Sequence, residues 1–98
     1  MAVYEVNSYD IHDFEMFKEY PPHVAKLLPK HKGKVLAMET NARALEGTPK
    51  TMNAIVEFPT EEDASNFYND PEYQSIIHLR HESSSNATMI ILKEFERK

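Results

Sequence analysis

The sequence predicts an α+β domain of the ferredoxin-like type, in which two helices cover one face of a four-stranded antiparallel sheet. Three observations predict it. Segments rich in β-branched, aromatic and long apolar residues stand at 3–9, 34–40, 51–58 and 87–95. Between the first two segments, and again between the last two, apolar residues recur at the three- and four-residue spacing of a helix. The resulting order is βαββαβ, with no linker, repeat or low-complexity tract to divide residues 1–98 into more than one domain.

The first strand reads Val3-Tyr4-Glu5-Val6-Asn7-Ser8-Tyr9, its polar residues interleaved as suits a strand with one covered face. Asp10 and Asp13 both suit the start of the next helix, because a short carboxylate accepts hydrogen bonds from the unpaired N–H groups there. The stripe of that helix is Phe14, Phe17, Tyr20, Val24, Leu27, Leu28 and His31. Pro21-Pro22 remove donors and crowd the preceding turn, which predicts a kink or restart, and Pro29 loosens the last turn. Gly33 fits the helix C-cap. Strands two and three are joined through 41–50, with Glu46-Gly47 as the turn, and Pro59 closes the third. Thr60-Glu61-Glu62-Asp63 places a hydroxyl three residues before a carboxylate, a capping box for a short helix with Ala64, Phe67 and Tyr68 inward. Asp70-Pro71 then caps a second helical piece whose Tyr73, Ile76, Ile77 and Arg80 share one face. Ser83-Ser84-Ser85-Asn86 ends it, since these side chains compete for backbone bonds. The fourth strand follows, and the charged tail from Lys93 to Lys98 is solvated.

Composition excludes several chemistries. The chain has 98 residues, 11 basic against 16 acidic, a net charge of −5 and no cysteine. A chain this short buries only about two-thirds of its unfolded surface. No disulfide or cysteine-held metal braces so small a core, and self-association is the remaining support. There is no thiol nucleophile, redox pair or iron–sulfur cluster. The two glycines, Gly33 and Gly47, form no phosphate-cradling loop, and the acidic balance opposes a nucleic-acid backbone. Nothing resembles a signal peptide, and no apolar run approaches the roughly 20 residues a bilayer requires. The expectation is a cytoplasmic protein with no nucleic-acid or membrane partner and no implied cofactor.

Strand four is apolar on both faces across Met89-Ile90-Ile91-Leu92, and strand two across Val35-Leu36-Ala37-Met38. These are the outer strands in the usual arrangement of this fold. Apolar outer strands imply that the open face and edges are covered by a second copy, because a bare face of this kind invites aggregation.

Several runs resemble an uncharacterised bacterial family, domain of unknown function thirteen-thirty. They are Phe58-Pro59-Thr60-Glu61-Glu62-Asp63-Ala64, Phe67-Tyr68, Asp70-Pro71-Glu72-Tyr73-Gln74 and Leu79-Arg80. The Leu45-Glu46-Gly47 turn and the stretch from Tyr20 through Lys32-Gly33-Lys34-Val35-Leu36 are similar to its pattern as well, so the likeness covers nearly the whole chain. Two departures stand out: the family usually has paired glycines at Lys32-Gly33 and a tryptophan–tyrosine pair at Phe67-Tyr68. The resemblance implies the dimeric α/β-barrel superfamily, in which two ferredoxin-like sheets pair face to face. It carries over architecture and no catalytic role. The wider superfamily includes cofactor-independent monooxygenases, lactone isomerases and haem-degrading enzymes, an analogy of fold alone.

Arg80 is the leading candidate site residue, because its spacing extends an inward stripe and directs a permanent cation toward the sheet. A buried guanidinium requires an acid partner or a ligand. The plainer reading is pairing with Glu57 or Glu46, or a head group that snorkels to water. Tyr68 and Tyr73 flank the same region, with Tyr9 and Tyr20 facing it from the other half; phenols orient polar ligands or simply combine packing with one hydrogen bond. Five histidines invite a metal reading, but His78 and His81 supply at most two ligands beside a repelling Arg80, and solvent exposure accounts for them better. Glu61-Glu62-Asp63 serves a helix start. The sequence thus supports a homodimer binding a small polar or anionic molecule in a helix–sheet pocket, with Arg80, Tyr73, Tyr68, Tyr20, Tyr9 and Glu57 as candidate ligands' contacts. A non-catalytic interaction or scaffold module competes with it, as does a cofactor-independent monooxygenase or isomerase by analogy.

Overall fold

A computed structural model describes residues 1–96; Arg97 and Lys98, the end of the expected solvated tail, lie outside the described residues. The elements run β1 (Val3–Ile11), α1 (Phe14–Phe17), α2 (Tyr20–Lys30), β2 (Lys34–Glu39), β3 (Met52–Phe58), α3 (Glu61–Tyr68), α4 (Pro71–Ser83) and β4 (Ser84–Lys93). The sheet order is β2-β3-β1-β4 with every pair antiparallel, so the two apolar strands are the outer ones, as expected. No helix is long and apolar enough to cross a membrane.

Alternation along β1 decides the two faces of the sheet. Val3, Glu5, Tyr9 and Ile11 are buried toward the helices, joined there by Met52, Val56 and Phe58 of β3. Phe17, Tyr20, Leu27, Leu28, Ala64, Phe67, Tyr73 and Ile77 close the core from above. Phe58 and Tyr73 are fully enclosed, each giving the large apolar burial that dominates the stability of a small domain. On the opposite face, cross-strand partners line up Ile90, Val6, Ile55 and Ala37, an apolar row that crosses all four strands.

Caps follow the sequence closely. Asp13 accepts from the Met16 N–H at 3.1 Å, Thr60 accepts from the Asp63 N–H at 3.0 Å, and Asp70 accepts from the Glu72 N–H at 2.9 Å. Asp10 is instead a strand residue that accepts from the Thr51 N–H and the Asn86 amide. The restart precedes the prolines: α1 ends at Phe17, and Pro21 falls at the second position of α2, where a missing donor costs nothing. Gly33 is not the residue with left-handed backbone. That role falls to Lys32, at φ 63°, while the Gly33 N–H closes the turn onto the Leu28 carbonyl at 2.8 Å. Gly33 is required for space instead, because a Cβ there would stand 2.7 Å from Leu28 Cδ2 and 2.8 Å from Phe58 Cε1.

The fourth strand departs most from expectation. It starts at Ser84 directly after α4 and stops at Lys93, leaving Phe95 exposed. Ser84 and Ser85 join the ladder opposite Ile11 and Asp10, and a bulge at Asn86, φ 55°, absorbs the change of register. β2 is bulged as well: Val35 pairs with Val56 and Ala37 with Ile55, leaving Leu36 without a partner. Val35 and Met38 therefore both lie on the helix side of the sheet, where at this outer strand they stay 48% and 62% exposed.

Candidate functional site

The polar residues of the interior converge under the middle of the sheet. Glu5 lies on the inner strand β1 between Val56 and Ile91, 4% exposed, and Arg80 points toward it from the last full turn of α4, 3% exposed. The end of α4 is fixed by Ser83 and Ser84, whose hydroxyls donate to the Arg80 carbonyl. The guanidinium sits over the Tyr9 ring at 5.6 Å, and the Tyr20 and Tyr73 hydroxyls meet at 2.6 Å beside it. Among the described residues no carboxylate lies within 4.0 Å of Arg80, and its buried Nε has no hydrogen-bond partner. The guanidinium lies 3.4 Å from His81 Nε2, and the Tyr20 and Tyr73 hydroxyls also favour its charge.

Two hollows share Glu5 as a wall. The chamber beneath α2, about 220 Å³, is lined by Tyr9, Tyr20, Leu28, Met38 and Val56 and is almost wholly apolar apart from Glu5 and Asn7. On the other side a cleft of about 280 Å³ is lined by Arg80, Tyr68, Asn69, Ser65, Met89 and Ile91. Asn7 donates to Glu5 at 3.0 Å, while its own buried Oδ1 has no partner among the described residues.

Burial sets the protonation of the cluster. It raises the Glu5 carboxyl above its ordinary value, with the Asn7 hydrogen bond and the Arg80 charge holding it back. The Tyr9 hydroxyl is pushed up to about 12, mainly by burial. Tyr20 and Tyr73 are raised too, burial again leading, so all three phenols stay neutral donors. Burial disfavours the Arg80 cation, but the Tyr20 and Tyr73 oxygens more than offset it.

The sequence candidates therefore divide. Arg80, Tyr73, Tyr20 and Tyr9 come together as expected. Tyr68 is not inward but 38% exposed, its ring against Tyr73 at 5.7 Å on the rim of the cleft. Glu57 is not brought to the cluster, because its register opposite Tyr4 puts it on the far face of the sheet, and it cannot be the acid paired with Arg80. Glu46, the other suggested partner, is exposed in the loop between β2 and β3. Sequence reasoning missed Glu5 and Asn7 by taking the polar members of the alternation as outward. Their shared parity with Val3, Tyr9 and Ile11 was the available signal.

A second polar cluster is structural. Asp70, capping α4, also meets His31 Nε2 at 2.7 Å and Lys30 Nζ at 2.9 Å, and the His31 ring lies edge-on to Phe67. His31 is thus half-buried and paired rather than solvated. Its bond, with those from Lys30 and the Glu72 N–H, holds the Asp70 carboxyl far below the usual range. Among the described residues no group of three or more His, Asp or Glu is placed to hold a metal ion.

A four-stranded ferredoxin-like sheet with a hollow between helices and strands defines the class. The chain belongs to the family described as domain of unknown function (DUF1330), whose model matches residues 2–95. It is similar to the RPA0582 protein of unknown function from Rhodopseudomonas palustris, at TM-score 0.83 and 16% identity over 98% of this chain and 84% of that one. It is similar also to a dimeric ferredoxin-like protein of unknown function from Jannaschia sp. CCS1, at TM-score 0.79 and 13% identity over 96% and 100%. SnoaB, a cofactor-independent oxygenase from Streptomyces nogalater, matches at TM-score 0.71 and 10% identity over 98% and 95%. These likenesses are of fold. No curated protein sequence matches the chain.

Proposed function

We propose that the protein is a homodimer that binds a small polar or anionic organic molecule between its helices and sheet. The apolar body of the ligand occupies the chamber beneath α2, and its polar group meets Glu5 and Asn7 on the chamber wall, beyond which Arg80 lines the neighbouring cleft. One observation carries this reading: among the described residues a guanidinium 3% exposed has no carboxylate partner within 4.0 Å and borders an open cleft. An interaction module without a ligand site would need that charge neutralised by an internal acid and the space filled with side chains. Tyr20 and Tyr9 orient the ligand, Tyr73 positions Tyr20, and Tyr68 borders the entrance. The second copy covers the apolar row Ile90, Val6, Ile55 and Ala37, in keeping with the dimeric relatives. A catalytic reading as a cofactor-independent oxygenase or isomerase draws support from likenesses of fold such as that to SnoaB.

The test is a thermal-shift screen of aliphatic and aromatic organic acids on wild type, Arg80→Gln and Ala54→Phe, the last filling the chamber. Stabilisation of wild type that both variants weaken supports the proposal. If no acid stabilises wild type, or all three proteins respond equally, it fails. Sedimentation as an 11.4 kDa monomer at micromolar concentration would refute the dimer.

A further inference from the structure

Glu5 is buried yet unused by the architecture. A carboxylate in the middle of an inner strand, flanked by Val56 and Ile91, costs stability unless a cation holds it, and among the described residues none lies within 4.0 Å. Among the described residues it accepts a hydrogen bond from Asn7 alone, on one of its two oxygens. Glu5 is also the one ionisable carboxyl bordering the apolar chamber, and it separates that chamber from the Arg80 cleft. The groups facing it are Arg80 and Tyr73 from α4, Tyr20 from α2 and Tyr9 from its own strand, a single cation among neutral phenols.

We infer that Glu5 is the acid–base group of this site, exchanging a proton with a weakly acidic C–H or O–H of a molecule held in the apolar chamber. The inference rests on the chamber being a ligand site. For a carbon acid beside a carbonyl, the Glu5 carboxylate takes the proton, the C–H bond breaks, and its electron pair moves onto the carbonyl oxygen as an enolate. Return of the proton to another carbon of the enolate system regenerates the carboxylate and leaves an isomer, so no oxidant or reductant is consumed. Apolar surroundings strengthen the base, and a neighbouring cation steadies the developing anion.

The probe is 5-nitrobenzisoxazole, a flat apolar carbon acid. Loss of its ring C–H proton forms a nitrile as the N–O bond breaks, and the electron pair leaves on a coloured phenolate. Wild type is expected to outpace an equal concentration of acetate, with the rate rising through an ionisation above the ordinary carboxylate range. Glu5→Gln is expected to lose roughly a hundredfold of that rate, the usual scale for a general base. Binding is followed separately through amide shifts of α2 and β3. If Glu5→Gln binds the probe and keeps the rate, the inference falls and the ligand site stands; if the probe does not bind wild type, both fall. Carbon-13 labelling of glutamate in wild type gives a readout independent of any variant's folding. A buried carboxyl that titrates high and moves when the probe binds supports the inference, and one unmoved by it overturns it.

Discussion

The hydroxyl oxygens of Tyr20 and Tyr73 lie 2.6 Å apart across 53 residues of chain, a buried polar link between α2 and α4 beside the exposed Lys30–Glu72 ion pair. Each ring supplies apolar area to the core, and each hydroxyl would otherwise be a buried polar group without a partner. The bond therefore sets the distance between the two helices that roof the chamber and the cleft.

Tyr20→Phe is expected to destabilise the protein by about 1 kcal/mol, the usual net worth of such a bond. A double-mutant cycle with Tyr73→Phe in urea unfolding should recover a coupling of similar size. Additive losses would mean that the two hydroxyls do not act together.

Lys32 occupies a left-handed backbone conformation that costs a side-chain-bearing residue about 1–2 kcal/mol. Lys32→Gly, which removes the side chain from that left-handed position, is expected to gain about 1 kcal/mol. Gly33→Ala should lose about 2 kcal/mol, because the new methyl has no room between Leu28 and Phe58. Equilibrium unfolding checks both signs.

Glu5 makes the fold sensitive to pH in the direction opposite to most acids. Its carboxyl is raised by burial, so the stability it contributes is full at low pH and is lost as pH rises through the folded-state value. Glu5→Gln should melt several degrees higher than wild type at neutral pH, with the gap closing below the ordinary glutamate range. Melting curves across pH measure it.

Asp70 works the other way. Its carboxyl is lowered by bonds from His31, Lys30 and the Glu72 N–H, so its contribution is present above the ordinary value of 3.8 and disappears as pH falls further. Asp70→Asn should lower the melting temperature by several degrees at pH 7 and flatten the acid limb of the stability curve.

Ile55→Asp and Ile90→Asp put charges into the apolar row on the open face, where the two side chains are 38% and 49% exposed. Each is expected to halve the sedimenting mass and leave the helical circular dichroism unchanged. A variant that stays dimeric would place the contact elsewhere.

The architecture was legible in the sequence because local signals agreed with one another. Thr60 and Asp70 sit where their side chains cap, and the apolar spacing after each fixes which face of α3 and α4 turns inward. The outer strands announced themselves through apolar runs. What escaped was everything that depends on parity within a strand. Glu5 and Asn7 alternate with Tyr4 and Val6, and the local sign of which set faces the helices is the parity they share with Val3, Tyr9 and Ile11. Glu57 was misplaced for the same reason. The start of β4 was hidden by serines whose hydroxyls suit a helix end and whose backbones nevertheless complete the ladder. The pairing of His31, placed at a helix end, was not legible because Asp70 is 39 residues away in sequence.

The bulge in β2 gives the strand a natural splice point. Leu36 pairs with nothing across the ladder, and the residues on either side, Val35 and Ala37, oppose consecutive positions of β3. Removing Leu36 would leave an unbroken alternation in which Ala37 still faces outward and Met38 still walls the chamber. Removing Met38 would instead swing Glu39 across the sheet into that wall. A run of four apolar residues thus contains one position open to length variation beside others where a single deletion would rewrite the lining of the site.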